Sequence, residues 1–187
     1  GVARVVMALD DPDPKVAGRG ADRLRAAGIE VVHGVGAMAA AEQLAPYLHH
    51  RRTGRPFVVL KLATTLDGRI AAADGSSQWI TGAAARHEVH QWRARSCAIL
   101  TGIGTLLHDD PALTARLDNY NGLQPLRVIA DTEGRTPPAA QTLQLPGKVV
   151  LACGPDAAAY LQQHEVCGSG LQADCTVMPV PLLNGKL

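Results

Sequence analysis

The stretch Cys97-Ala98-Ile99-Leu100-Thr101-Gly102-Ile103-Gly104-Thr105-Leu106-Leu107-His108 decides the fold class. Its first four residues predict a buried strand, its two glycines a turn, and Leu106-Leu107-His108 a short helix. Glycines after a strand let backbone N–H groups converge, and a following helix N-terminus favours an anion such as a pyrophosphate. Such a turn is an ordinary change of direction about as often as a phosphate site, and the third glycine of the dinucleotide fingerprint is absent.

Strands and helices alternate along the rest of the chain. The predicted helices lie at residues 21–27, 39–52, 82–96 and 155–164, and Thr81 is expected to cap the third of them. The further predicted strands lie at residues 2–9, 29–33, 57–64, 70–73, 126–130, 149–152 and 176–178. The strands 57–64 and 70–73 flank an Asp-Gly turn and are expected to form a hairpin. This alternation predicts an α/β fold with a mostly parallel sheet, whose ligands bind at the carboxyl ends of the strands.

The best candidate domain boundary lies at residues 53–56, because Gly54 and Pro56 end the preceding helix. The opening strand over residues 2–9 has no strand before it with which to pair, and a complete domain avoids such an unpaired strand. The sequence therefore predicts a piece of a longer polypeptide. Residues 1–54 would end one domain and residues 55–187 would begin a second.

Composition excludes several classes of function. The 187 residues are 47% apolar and 19% charged, which argues against a disordered or fibrous chain. A formal net charge of +1 and an aromatic content of 3% argue against nucleic acid and anionic membranes as partners. No apolar run approaches the roughly 20 residues that span a bilayer, so a transmembrane role is excluded. A cytoplasmic location is expected, since unpaired cysteines inside apolar runs fit a reducing compartment.

The cysteines and histidines predict no metal site in this chain. Four cysteines contain no C-x-x-C pair, so we expect reduced, structural thiols, with Cys97 and Cys153 acting as small hydrophobes inside apolar runs. In His87-Glu88-Val89-His90 the histidines are three residues apart, whereas the metalloprotease motif needs four. A solvated helix face is the better interpretation of that segment.

Four charged side chains could carry chemistry. Lys61 lies within an apolar strand pattern and must either extend to solvent or face a polar cavity, where it can meet a phosphate or polarise a carbonyl or imine. One carboxylate of Asp109-Asp110-Pro111 could bind a ribose or an amide, although such turns are also structural. Arg93 and Arg116 could clamp a phosphate between guanidinium groups. From spacing alone, surface arginines remain the simpler interpretation.

Two strings are specific enough in combination to identify a family. They are Lys61-Leu62-Ala63-Thr64-Thr65-Leu66-Asp67-Gly68-Arg69 and Asp109-Asp110-Pro111-Ala112-Leu113-Thr114-Ala115-Arg116. With Ser77-Gln78-Trp79-Ile80-Thr81, Arg93-Ala94-Arg95-Ser96 and the glycine turn in order between them, the chain resembles the reductase domain of the bifunctional riboflavin-biosynthesis deaminase/reductases. The resemblance covers nearly all of residues 55–187. Residues 1–54 are similar to the closing part of the same family's deaminase domain.

The resemblance implies a fold and a reaction. The fold is an incomplete dihydrofolate-reductase-like domain, preceded by the C-terminal part of a cytidine-deaminase-like α/β domain. The reaction is the NADPH-dependent reduction of 5-amino-6-(5-phosphoribosylamino)uracil to the ribitylamino product, with hydride delivered to the sugar C1. The substrate partner is a small phosphoribosylaminopyrimidine. The family's zinc-binding deaminase motif lies upstream of Gly1, so zinc is expected only outside this chain.

The resemblance also implies roles for individual residues. Those expected to contact NADP are Ala63, Trp79, Thr105, Asp109 and Thr132. Those expected to contact the phosphorylated substrate are Ser77, Arg93, Leu113 and Arg116. Lys61 and Asp109 are the candidates for stabilising charge near the nitrogen or the departing oxygen during reduction.

Alternatives remain open. A non-catalytic NADP- or phosphosugar-binding module, or an inactive fragment, would keep the glycine turn and the arginines without turnover. A nucleic-acid role ranks third because of the balanced charge and scarce aromatic residues. The family's reductase continues beyond Leu187 with a second glycine-containing segment, so the activity of this chain alone is open, as is a homo-oligomer.

Overall fold

Two units of structure follow each other along the chain in the computed structural model, which describes residues 1–164, 166–168, 170–185 and 187. The first unit comprises Gly1–Leu62 and the second Ala63–Leu187. Within the described residues, no helix has both the length and the apolar character to cross a membrane.

The first unit contains a two-stranded parallel sheet. Its elements are strand β1 (Arg4–Met7), helix α1 (Arg19–Ala26), strand β2 (Glu30–His33), helix α2 (Ala37–Gln43) and helix α3 (Ala45–Thr53). β1 pairs with β2, with Arg4 opposite Glu30, and its residues alternate between exposed and half-buried. The opening strand is therefore neither buried nor alone, because α1 supplies the crossover that a parallel partner needs. The helix predicted over 39–52 is divided near Leu44, since Pro46 favours the first turn of a new helix.

The second unit is built on a four-stranded parallel sheet. Its elements are helix α4 (Ala83–Arg95), strand β3 (Ala98–Gly102), helix α5 (Ile103–Asp109), strand β4 (Leu126–Ala130), helix α6 (Gln141–Gln144), strand β5 (Gly147–Cys153), helix α7 (Pro155–Gln163) and strand β6 (Ala173–Pro179). The strands lie in the order β3-β4-β5-β6, all parallel. This confirms the predicted α/β class. α4 begins after Gly82 without a side-chain cap, so the expected Thr81 cap is wrong.

The core of the second unit is aliphatic. Ile129, Val149 and Leu151 from the two central strands are almost completely buried. Leu106 of α5 and Leu161 of α7 pack into the same cluster. Burial of each such side chain is worth about 1.5–3 kcal/mol, so this cluster supplies most of the apolar stabilisation of the sheet.

The predicted hairpin of residues 57–64 and 70–73 does not form. Residues 56–65 make no strand, and large apolar side chains there stay exposed, including Leu60 at 79%. The turn between the two segments is present, because the Gly68 N–H donates to the Thr65 carbonyl at 3.0 Å and Gly68 adopts a φ of 79°. Apolar patterning indicates that a segment fits a sheet, but whether a strand forms depends on its tertiary packing.

Two expectations about cysteines are also wrong. Cys167 and Cys175 form a disulfide, whereas four reduced thiols were expected. The return of the chain from α7 into β6 brings these two residues together. Cys97 is exposed just before β3, while Cys153 at the end of β5 is buried as expected.

A fully buried guanidinium fixes the connection from β4 to β5. Arg127 points from β4 to the same face as Ile129, and its Nη1 donates to the Thr142 carbonyl at 2.7 Å. Its Nη2 donates to the carbonyls of Leu145 and Pro146 at 2.9 and 3.1 Å. A Cβ at Gly147 would lie 3.2 Å from Nη2, and Gly147 has a φ of 113°, so glycine is needed where β5 begins.

Removing this guanidinium is expected to destabilise the fold. Arg127→Leu leaves backbone carbonyls buried without donors and should lower the free energy of unfolding by about 3 kcal/mol. Arg127→Lys should cost less, because one ammonium retains part of the bonding. Urea denaturation measures both, with the exposed Arg135→Leu as a control expected to change stability by less than about 0.5 kcal/mol. Equal stability of Arg127→Leu and the unmodified chain would contradict this assignment.

Candidate functional site

The carboxyl ends of β3, β4 and β5 lie at one edge of the sheet. Gly102 pairs with Ala130, and Ala130 pairs with Ala152, so the three strands end in register. Ligands of parallel sheets bind at this edge. Thr105 lies in the first turn of α5, which follows β3, and Thr132 lies in the segment that follows β4, so two of the predicted NADP residues lie near the ends of neighbouring strands.

The two carboxylates at the end of α5 have different surroundings. The Asp110 Oδ1 accepts a hydrogen bond from the Gln141 N–H at 2.7 Å and so ties the end of α5 to the start of α6. Asp109 stays exposed, with its Oδ1 2.7 Å from Nδ1 of His108. Asp110 therefore has the structural role, and Asp109 is the carboxylate available to a ligand.

Thr132 lies in a closely packed segment between β4 and the start of α7. Its carbonyl accepts a hydrogen bond from the Gly154 N–H at 3.1 Å. A Cβ at Gly154 would lie 3.0 Å from that carbonyl oxygen and 3.1 Å from a Leu182 methyl group. Glycine at position 154 thus permits the close approach of the two segments, and the Thr132 side chain remains half-buried.

Two predicted substrate residues, Arg93 and Arg116, lie together. Arg93 of α4 donates from Nη1 to the Thr114 carbonyl at 3.1 Å, and Arg116 donates from Nη1 to the Thr114 hydroxyl at 3.3 Å. The Arg116 N–H donates to Nδ1 of His90, which lies one turn before Arg93 on α4, at 3.2 Å. We call His90, Arg93, Thr114 and Arg116 the basic cluster.

A glutamine holds the backbone of the basic cluster. Gln124 accepts a hydrogen bond from the Ala115 N–H at 2.8 Å through Oε1, and donates from Nε2 to the Ala115 carbonyl at 3.0 Å. Both backbone groups of the residue between Thr114 and Arg116 are thereby fixed. The side chains on either side of Ala115 are held in position even though Arg116 itself is exposed.

The charges of the basic cluster repel one another. Burial, and then the charge of Arg116, lower the pKa of Arg93. Burial, and then Arg116 and Arg93, lower the pKa of His90, whose Nδ1 must be unprotonated to accept the Arg116 N–H. Among the described residues, no carboxylate forms an ion pair with either arginine. The cluster is therefore suited to an anion that guanidinium groups can bind.

The remaining predicted residues differ in accessibility. Leu113 is buried in the core of the second unit, and Ser77 and Ala63 are half-buried. The Trp79 ring is 70% exposed, and the Arg86 guanidinium lies 4.3 Å from its centroid. The exposed indole ring presents an apolar face to a flat ligand, while the Arg86 guanidinium holds the ring in place.

Lys61 lies in the first unit and is exposed. Because residues 56–65 form no strand, the premise that Lys61 interrupts a buried strand is wrong. Its charge-stabilising role remains a prediction. Among the described residues, no group of three or more histidine, cysteine or acidic side chains could hold a metal ion.

Sequence reasoning missed two contributors to the basic cluster. His90 was assigned to a solvated face, although its position three residues before Arg93 places both on one side of a helix. Gln124 carries no sequence signal, because its contact with Ala115 depends on how the intervening loop folds.

The family described as RibD C-terminal domain matches residues 56–184. The chain belongs to this family. The riboflavin biosynthesis protein RibD of Escherichia coli K12 is 48% identical over 164 residues, which are 81% of this chain and 44% of that protein. The RibD of Mycobacterium tuberculosis H37Rv is 52% identical over 145 residues, or 76% of this chain and 42% of its own length.

Solved RibD structures share the fold. A deaminase/reductase from Thermotoga maritima superposes with a TM-score of 0.74 at 38% identity, covering 82% of this chain and 43% of that one. RibD of Acinetobacter baumannii gives 0.75 at 39% identity, covering 97% of this chain and 49% of its own. The family resemblance and the reductase-like α/β fold inferred from sequence are thus confirmed. The chain spans less than half the length of these relatives.

We expect the basic cluster to bind phosphate and to report it through His90. An anion between Arg93 and Arg116 offsets the charges that disfavour a protonated imidazole, so inorganic phosphate should raise the pKa of His90 from its lowered value. Arg116→Gln should raise the pKa of His90 without phosphate, because it removes one of those charges. Histidine NMR titrations at constant ionic strength measure both, with the exposed His87 as internal control. An unchanged His90 titration on adding phosphate would contradict an anion site here.

Proposed function

We propose that the chain supplies cofactor- and substrate-binding parts of a riboflavin-biosynthesis reductase. The proposed reaction is the NADPH-dependent reduction of 5-amino-6-(5-phosphoribosylamino)uracil to its ribitylamino product. The basic cluster carries the proposal, because two guanidinium groups converge on Thr114 without a carboxylate partner in the described part of the chain. The relative from T. maritima supports it, being a 5-amino-6-(5-phosphoribosylamino)uracil reductase and a deaminase.

The residues at the carboxyl edge of the sheet fit a dinucleotide. The hydroxyl groups of Thr105 and Thr132 and the carboxylate of Asp109 are donors and acceptors that match ribose hydroxyls and phosphate oxygens. The exposed face of Trp79 offers a surface for a flat ring. When bound, NADPH supplies the hydride. Ala63 is proposed to line the same cofactor site.

The substrate side of the reaction is assigned to the basic cluster and its neighbours. Arg93 and Arg116 would hold the phosphate, and so fix the distance from that group to the sugar C1. Leu113, held rigidly in the core, and Ser77 would contact the rest of the substrate. Reduction at C1 needs an opened ring or imine, and Lys61 and Asp109 are proposed to stabilise charge at the nitrogen or oxygen.

Residues 1–54 are proposed as the closing part of a deaminase domain and residues 55–187 as the first part of the reductase. The start of the match to the RibD C-terminal domain at residue 56 supports this division. Zinc-dependent deamination is then a property proposed for the parent protein. We also propose a cytoplasmic location, where a biosynthetic enzyme meets NADPH and its small-molecule substrate.

NADPH consumption tests the reaction. The parent protein, supplied with the deaminated substrate, is expected to oxidise NADPH, and this 187-residue chain is to be assayed beside it. The loss of NADPH absorbance measures turnover, and the ribitylamino product is identified by mass. Turnover by the parent protein distinguishes an enzyme from a module that only binds. A parent protein that leaves NADPH unchanged would refute the reductase assignment.

Arg116→Ala tests the assignment of the phosphate. In the parent protein it should raise KM for the phosphorylated substrate roughly tenfold to hundredfold, as expected for losing one or two charge-assisted hydrogen bonds. KM for NADPH should change little. Arg95→Ala, which removes an exposed arginine at the end of the same helix, is the matched control. An equal rise in both KM values would show that Arg116 does not act through the substrate phosphate.

A further inference from the structure

A buried carboxylate lies directly beside the predicted NADP residue Thr132. Asp131 is fully buried, and its backbone N–H donates to the Ala152 carbonyl at 2.9 Å. Its Oδ2 accepts two hydrogen bonds from Thr136, one from the backbone N–H and one from the hydroxyl, each at 2.7 Å. Thr136 is itself buried. These contacts close the chain from residue 131 to residue 136 into a loop fixed at both ends.

Other contacts hold the middle of this loop. The Gly134 N–H donates to the Asp131 carbonyl at 3.2 Å, and Gly134 adopts a φ of 71°, which favours glycine. A Cβ at Gly134 would lie 3.3 Å from the side chains of Ala157 and Leu161, so the loop packs against α7. Thr132 lies between the two closure points, and its carbonyl is bound by Gly154.

The buried carboxylate is costly to keep. In the described part of the chain, Oδ1 of Asp131 has no hydrogen-bond partner although it is shielded from solvent. Burial, and then the Asp131 charge, raise the pKa of the neighbouring Cys153 to about 11, so this thiol stays neutral. Unsatisfied buried groups are rare in proteins, so one that lies beside a predicted binding residue calls for an explanation.

We propose that Asp131 and Thr136 are positioning residues that hold Thr132 for NADPH. This inference rests on the proposed function, because it assumes that Thr132 contacts the cofactor. The Asp131–Thr136 pair fixes the loop before the cofactor arrives, so that little conformational freedom of Thr132 is lost on binding. Both side chains are buried at the closure of the loop, so they act through Thr132 and not by contact with the cofactor.

Affinity measurements on the parent protein test this role. Thr136→Val removes the hydroxyl donor with little change in volume and should weaken NADPH binding about tenfold. Thr136→Ser keeps the donor and should restore the affinity to within about twofold. Binding of inorganic phosphate to the basic cluster should be unchanged in both variants. NADPH fluorescence and phosphate titrations give the dissociation constants.

A destabilised control separates positioning from loss of fold. Val149→Ala weakens the core near the start of β5, at the opposite end of the sheet from the loop, and should leave NADPH affinity unchanged. An unchanged NADPH affinity in Thr136→Val, or an equal loss in Val149→Ala, would overturn the positioning role while leaving the proposed function intact. Absence of NADPH binding by the unmodified parent protein would overturn both.

Amide hydrogen exchange tests the inference without any substitution. The Thr136 and Gly134 amides should exchange slowly before NADPH is added, because both donate within the closed loop. NADPH should add only a small further protection at these two amides. Rapid exchange without NADPH, followed by strong protection with it, would show that the cofactor orders the loop and would contradict a loop fixed in advance.

Discussion

The arrangement of the second unit depends on where the Arg127 guanidinium finds its hydrogen-bond acceptors. An isolated buried charge costs several kcal/mol unless its donors are satisfied, so the carbonyls of Thr142, Leu145 and Pro146 must surround it. These carbonyls lie in α6 and in the residues just before β5. The hydrogen bonds of Arg127 to these carbonyls therefore fix the point at which β5 enters the sheet, with Val149 opposite Arg127.

That register has consequences at the far end of the strands. Because β4 and β5 are paired from residue 127 onward, their pairing ends at Ala130 and Ala152. The segments that follow, which carry Thr132 and Gly154, then lie close enough for their backbones to bond. A charge at the start of a strand thus determines the geometry of a candidate binding edge at its end. Backbone pairing keeps one register along both strands, so the alignment set at Arg127 persists to their carboxyl ends.

Arg127 differs from Arg93 and Arg116 in a way that the residue type alone does not reveal. Arg127 is fully buried and its two Nη atoms donate to backbone carbonyls, so it is not accessible to a ligand. Arg93 and Arg116 contact Thr114 with one nitrogen each and repel one another. Their remaining donors suit an external anion. From sequence, Arg127 in an apolar strand resembles a surface residue as much as a structural one.

Features that depend on local patterns could be predicted. The strand over 126–130 and its α/β setting follow from short apolar runs separated by turns. The glycine turn predicted over 101–105 is wrong, because β3 continues to Gly102 and α5 begins at Ile103. Features that join distant residues could not. The segment 57–64 has a strand pattern but pairs with no strand in the described part of the chain, and the His90–Arg116 contact spans 26 residues. Cys167 and Cys175 likewise gave no spacing signal for their disulfide.

The segment from Thr105 to Arg116 connects residues assigned to the cofactor with residues assigned to the substrate, and two of its residues have positive φ values. Between the predicted NADP residues and the basic cluster, Asp110 and Leu113 adopt φ values of 40° and 53°, which disfavour residues with a Cβ by about 1–2 kcal/mol each. The hydrogen bond of Asp110 to Gln141 and the burial of Leu113 offset that cost. Because Asp110 and Leu113 are both held in place, the distance between the two ends of this segment is fixed. The spacing between a hydride donor at one end and a phosphate at the other would then be set by the protein and not by the substrate.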